Sequence, residues 1–292
     1  MSEGLKQKFV KLSSVEFLNF DPFAVQFDPL SYSRGRSHFQ SAFRFVLNSS
    51  KRQALEDFYA FCRIADDLAD QDGLEVQERI NRLEALRSWV LEPEGRPHPF
   101  WNRLRAARVE FQIPDRCLTG LLDALLSELE RLERVCLFES WTELEAYIQG
   151  VACDVGEVVL CILGKKQTDC RLYAKNMGQC AQLLNILRDL EEDFDKARIF
   201  VPNDCLKAHA ISLENFLSSD LSPIREELYQ RAQTAFKNSR DLRCRSWVAE
   251  LMISFYRSAA KKHWRYGDSR RLSRGSKALI ALRSLLPFHR SL

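Results

Sequence analysis

Apolar residues along this chain recur mainly at three-and-four spacing, the pattern of helices that bury one face. No strand-like alternation of useful length interrupts it. The pattern predicts helices at about 37–47, 51–71, 74–91, 98–112, 115–135, 140–163, 168–194, 212–217, 222–239 and 243–266, with a last one at 273–286. The breaks carry their own signals. Asn48-Ser49-Ser50 offers a cap before residue 51, residues 92–97 form a Pro- and Gly-containing loop, and Ile113-Pro114-Asp115 restarts a helix with Pro or Asp in its first turn. Residues 1–36, with Pro22, Pro29 and a polar Ser-Tyr-Ser-Arg-Gly run, read as an irregular lead-in. There is no internal repeat, so the expectation is one all-α domain over 37–292.

Composition agrees with that picture and narrows the partners. Glycine (11) and proline (9) are sparse in 292 residues, and 46% hydrophobic content is enough to build a core and still line an apolar cavity. A net charge of +3 does not call for nucleic acid. The charge is uneven, however: from 255 onward there are ten Lys or Arg and one acid, Asp268. Such an arm is solvated, or suited to anionic lipid or a diphosphate, and the amphipathic stretch 277–286 suits a peripheral membrane contact. No apolar h-region opens the chain, so no secretory leader is expected. The nearest thing to a spanning run, 278–286, is short and broken by Arg283, so no bilayer span is expected either. Nine cysteines without any C-x-x-C pair read as reduced core thiols in a cytoplasmic protein.

The candidate chemistry lies in two stretches. On a helix turning about 100° per residue, Tyr59, Arg63, Asp66 and Asp70 share one stripe, opposite Phe58, Phe61, Cys62, Ala65 and Ala69. Gln182, Asn185, Asp189 and Asp193 share another, flanked by Arg188 and Glu192 and set among Leu183, Leu184, Ile186, Leu187 and Leu190. Polar groups in so apolar a helix are costly to bury unless they are paired or bound to a metal. Two D-x-x-x-D helices face to face would make an oxygen-rich cleft suited to Mg²⁺ shared with phosphate, and the ions would draw charge off a diphosphate leaving group. Arg63 and Arg188 suit phosphate oxygens. A single such helix is commonly just a solvated face, and Arg63 has the spacing of an intrahelical ion partner. Two matching helices are harder to explain that way. There is no H-E-x-x-H, E-x-x-H, G-x-G-x-x-G or Walker signature, so zinc-protease, di-iron and nucleotide chemistries lack their residues.

At these residues the chain resembles the squalene/phytoene synthase family of head-to-head prenyl transferases. Residues 59–70 are similar to its first aspartate motif. Residues 185–193, followed by Arg198-Ile199-Phe200-Val201-Pro202, are similar to its second. Residues 147–157, Tyr-Ile-Gln-Gly-Val-Ala-Cys-Asp-Val-Gly-Glu, resemble its tyrosine/glycine helix, and Ser37-His38-Phe39-Gln40-Ser41 stands where the family has a serine-rich diphosphate-contacting start. The chain departs from the pattern at Gln149, where a second tyrosine is common, at Ala197, where glycine is usual, and at Gln40. The resemblance implies an all-helical isoprenoid synthase fold around a deep apolar cavity. It also implies condensation of two prenyl diphosphates through a cyclopropylcarbinyl diphosphate. By the same resemblance, Asp66, Asp70, Asp189 and Asp193 would hold Mg²⁺ with Asn185 and Gln182 assisting. Ser37, Arg63 and Arg188 would contact diphosphate, Tyr59 and Tyr147 would line the reaction centre, and Tyr256 would hydrogen-bond a phosphate. Farnesyl diphosphate going to a presqualene- or squalene-type C30 product is the leading expectation. Geranylgeranyl diphosphate going to phytoene is the alternative, and a non-catalytic relative is a third reading. NADPH use has no sequence signature and stays open, as does oligomeric state.

Overall fold

The computed structural model describes residues 22–24, 28–33, 43, 46–71, 73–92, 98–132, 134, 136–165, 170–196, 198–240, 242, 244 and 246–266. Ser37, Gln40, Ala197 and the basic stretch after 266, including the expected helix at 273–286, lie outside the described residues. The elements are α1 (Pro29–Ser33), α2 (Ser49–Ala69), α3 (Val76–Leu91), α4 (Pro99–Glu110), α5 (Asp115–Glu130), α6 (Trp141–Ile148), a π-helical segment (Gln149–Asp154) and α7 (Val155–Leu163). They continue with α8 (Cys170–Asp195), α9 (Asn203–Ala208), a 3₁₀ turn (Phe216–Ser218), α10 (Ser222–Arg240) and α11 (Trp247–Tyr266). There is no strand among the described residues, and the fold is all-α.

Local chemistry sets the boundaries. The Asn48 side chain accepts from the Lys51 amide at 2.9 Å and starts α2. Arg79 donates to the Ala69 carbonyl at 3.3 Å, satisfying an otherwise open acceptor at the other end of α2. Pro99 opens α4, and Asp115 stands in the first turn of α5 behind Pro114. Ser140 caps α6, and Gly164, at φ +82°, ends α7 in the left-handed region that glycine adopts without strain.

Four expectations change. The lead-in contains the short helix α1, whose Tyr32 hydroxyl donates to Asp67 at 2.6 Å. The six-residue α9 appears where no helix was expected, because a segment that short shows no full hydrophobic period. The expected helix at 212–217 shrinks to a 3₁₀ turn. Finally, Trp141–Leu163, read as lacking a spanning run, is a 23-residue continuous helix apolar enough by length and composition to cross a bilayer. Half of its most apolar window is buried within the protein. It is apolar on several sides because it packs between α5 and α8 while also lining a cavity.

The core has two lobes. One gathers α2, α3, α4 and α5 with Leu251 and Phe255 of α11. The other gathers α8, α9 and α10 with Phe138, Leu144 and Ile148. The π segment belongs to the joint between them, and Val151 packs against both. Glycines make that joint tight. A Cβ on Gly150 would collide with the Gly120 carbonyl and stand 2.6 Å from the Ala124 Cβ, and a Cβ on Gly178 would stand 2.6 Å from the Cys153 Cα. The extra residue of a π turn lets Gly150 meet α5 while Cys153 meets α8.

The cysteines need a correction. Cys170, at the start of α8, and Cys244, just before α11, form a disulfide rather than two free thiols. Cys117, Cys136, Cys153, Cys180 and Cys205 are buried free thiols, and Cys62 and Cys161 are half-buried. Two cysteines 74 residues apart carry no local spacing signal, so only the packing of α8 beside α11 pairs them.

Candidate active site

A cavity of about 610 Å³ opens along the seam between the two lobes. Leu121, Leu125, Val159 and Met252 come to its wall from one lobe, and Tyr173, Met177, Ile186 and Ile253 from the other. Into it project Tyr59, Arg63, Asp66 and Asp70 from α2 and its C-terminal cap, and Gln182, Asn185, Arg188, Asp189 and Asp193 from α8. Tyr147 and Tyr256 line it too. Every site residue expected from the sequence therefore lines this cavity, apart from Ser37, which lies outside the described residues. On α2, Phe58, Phe61, Ala65 and Ala69 are buried as expected, as are Leu183, Leu184, Ile186, Leu187 and Leu190 on α8, whereas Cys62, expected on the core face, is half-buried and lines the cavity.

The arginines are engaged by protein carboxylates. Arg63 forms ion pairs with Asp67 and, at 3.5 Å, with Asp66. Arg188 grips its neighbour Asp189 with both arms of the guanidinium, one donating from Nε at 2.6 Å. An incoming anion would have to compete for those donors, or share them once a cation takes up the carboxylates.

Three further charged residues line the cavity: Glu128 and Lys196, which were not singled out from sequence, and Arg198, which was named only within the segment after the second motif and given no role. Arg198 donates to Asp70 at 2.6 Å and stands 3.7 Å from Glu128, tying the chain after α8 to the end of α2. The Tyr147 hydroxyl donates to Glu128 at 2.7 Å. Glu128 is only 4% exposed. Its sequence signal was present: it continues the stripe of Leu121 and Leu125 at spacings of four and three, where an apolar residue belongs.

Electrostatics mark the cleft as a place for positive charge. Desolvation raises the Asp66 carboxyl to about 7, with Asp70 and Asp67 adding to the rise and Arg63 opposing it. Asp66 keeps 39% of its side-chain surface open to the cavity side of α2, so it is the direction of the rise and its cause that mark the cleft. Burial likewise lifts Asp193 to about 7, helped by Asp189 and opposed by Lys196 and Arg198. Burial also pushes the Tyr147 phenol well up, and the Glu128 carboxyl rises for the same reason against the pull of Arg198. A divalent cation fits this donor set. The carboxylates supply hard oxygens, and the Asn185 Oδ1 is buried without a hydrogen-bond partner in this structure.

Comparison with known proteins agrees with the geometry. The family model for squalene/phytoene synthase matches residues 33–260. The chain belongs to the squalene/phytoene synthase family. Among its relatives is a phytoene synthase of Thermus thermophilus, 31% identical over 171 residues, covering 56% of this chain and 55% of that protein. A presqualene diphosphate synthase of Sinorhizobium fredii is 28% identical over 204 residues, covering 66% and 69%. The chain thus spans little more than half the length of the phytoene synthase it matches. Among solved structures, a dehydrosqualene synthase superposes with a TM-score of 0.72 at 23% identity, over 88% of this chain and 95% of that one. That likeness shows the shared isoprenoid synthase fold. Within the family's pattern, Gln149 opens the π segment and donates to Asp154 at 2.9 Å.

Proposed function

We propose that this chain condenses two prenyl diphosphates head to head, and that its substrate is farnesyl diphosphate, giving a presqualene- or squalene-type C30 product. The observation that carries the reading is the convergence of Asp66, Asp70, Asp189 and Asp193, from two helices more than 100 residues apart, on one cavity that also has an apolar stretch of wall from Leu121, Leu125, Val159 and Met252. Asp66, Asp70, Asp189 and Asp193 would hold Mg²⁺, with Asn185 and Gln182 completing the oxygen set. When bound, the metal supplies Lewis-acid neutralisation of the departing diphosphate.

The chain's own groups do the rest. Arg63, Arg188 and Arg198 present guanidinium groups to diphosphate oxygens, and Tyr256 adds a hydroxyl. Ionisation leaves an allylic C1 cation. The double bond of the second substrate captures it to form a cyclopropane ring, with loss of one proton and one pyrophosphate. Tyr59 and Tyr147 set aromatic faces near that charge. Glu128 holds the Tyr147 hydroxyl and steadies Arg198. Leu121, Leu125, Val159 and Met252 keep water from the cation, which it would otherwise quench as an alcohol.

The match to the presqualene diphosphate synthase, which covers 69% of that relative, supports the C30 reading. The phytoene synthase matches, one 31% identical over 171 residues and another 27% identical over 215, favour a C20 substrate as the second reading. Purified protein with Mg²⁺ and either farnesyl or geranylgeranyl diphosphate, with and without NADPH, separates them by product mass. Turnover of the C20 substrate alone would overturn the farnesyl assignment. Peripheral membrane contact belongs to the same proposal, since the prenyl substrates and their product are lipids; a cytoplasmic location rests on the seven cysteines that remain thiols, and the Cys170–Cys244 disulfide weighs against it.

A further inference from the structure

Away from the cavity, α9 and α10 bring three ligand-type side chains to one point. Cys205 lies on α9, His209 follows one turn later as its C-terminal cap, and Glu227 reaches them from α10. The Cys205 Sγ is 3.4 Å from the Glu227 Oε2, the His209 Nε2 is 3.0 Å from the same oxygen, and all three ligand atoms lie within 4.8 Å of one another. A tetrahedral zinc ion with bonds of about 2.3 Å to sulfur and about 2.0–2.1 Å to nitrogen and oxygen sets ligand–ligand edges of about 3.3–3.6 Å. The Cys205–Glu227 and His209–Glu227 separations are close to those edges.

The surroundings are built to hold this carboxylate. Arg231 donates to the other oxygen, Oε1, at 3.1 Å, which leaves Oε2 for the site. The Arg231 guanidinium lies 3.7 Å from the Trp141 ring centroid, so it is fixed in turn. Such outer contacts orient metal ligands. Cys205 is buried, while His209 and Glu227 are half-buried, so the site has a dry floor and an open side for a fourth ligand.

We infer that Cys205, His209 and Glu227 form a zinc-binding site that clamps α9 to α10. The thiol of Cys205 loses its proton to solvent on binding. His209 coordinates through Nε2 and Glu227 through Oε2, and water fills the fourth position. The soft sulfur and imidazole donors favour zinc over magnesium. None of the three residues lines the cavity, so the site is separate from the proposed condensation chemistry and stands or falls without it.

The test uses tag-free full-length protein purified without chelator. Elemental analysis should find about one zinc per chain. Cobalt(II) substitution should give visible bands of a tetrahedral site and a near-ultraviolet thiolate charge-transfer band. Cys205→Ser should abolish that band, and His209→Ala should weaken zinc binding by at least about tenfold, the lower bound set by losing even an outer contact. Glu227→Gln, nearly isosteric, gives the same comparison if either variant folds poorly. A chelator should lower the melting temperature of the parent and leave the Cys205→Ser protein unmoved. Folded parent protein that takes up neither zinc nor cobalt, or zinc binding unchanged in Cys205→Ser and His209→Ala, overturns the inference.

Discussion

Asp66 and Asp193 are where the site can be tested most directly. Their carboxyls bind protons more tightly in the folded chain, at about 7, than the ordinary value of 3.8. The folded state therefore takes up protons between those values, so the stability these two groups contribute is full below about 3.8 and is lost as pH rises through about 7. Metal-free protein should melt at a lower temperature at pH 8 than at pH 6, and Mg²⁺ should restore much of the loss at pH 8. A thermal-melt series across that range checks both statements, and Asp66→Asn with Asp193→Asn should flatten the slope. The same replacement at Asp66 or Asp189 removes several kcal/mol of transition-state stabilisation, and hence at least about 100-fold in kcat. The melting temperature of Asp66→Asn should hold or rise, because a desolvated carboxylate has gone, whereas Asp189→Asn also breaks the Arg188 pair and should lower it. Unchanged turnover in both would return the chain to the non-catalytic reading. These aspartates were legible because four-residue spacing on an apolar helix is unusual. Glu128 was equally visible in principle but sits alone, without a second acid one turn away. Its partnership with Tyr147 and Arg198 spans 19 and 70 residues of sequence, and only the fold supplies it.

Between elements, the glycine contacts at the π segment carry the geometry. Periodicity predicted one uninterrupted helix over 140–163 and so captured its extent. It could not show the π turn, because that stretch is apolar on too many sides for a one-residue shift in phase to register. Gly150→Ala forces a methyl group against the Gly120 carbonyl, an overpacking that costs about 1–3 kcal/mol where the backbone cannot retreat. Chemical denaturation should show that loss. Activity should fall by more than stability accounts for, because Tyr147 and Val155 flank the turn and both line the cavity. Gly156→Ala is the control: its added carbon would lie 3.5 Å or more from its nearest neighbours, so it should be tolerated.

For the molecule as a whole, the Cys170–Cys244 link closes a loop of 74 residues that contains all of α8, α9 and α10. Loop-closure entropy alone gives such a link about 4 kcal/mol. Cys170→Ser should lower the denaturation midpoint of oxidised protein and change nothing once the parent is fully reduced, which equilibrium unfolding with and without dithiothreitol can measure. The all-helical architecture was legible from residue periodicity, whereas the partition of the core into two lobes was not, since both use the same apolar residues at the same spacing. The position of the cavity along that partition has a mechanical meaning. A hydrocarbon tail lodged there would act as mortar between the two blocks. Occupancy should slow amide hydrogen exchange on both sides of the joint together, including helices that never touch the guest.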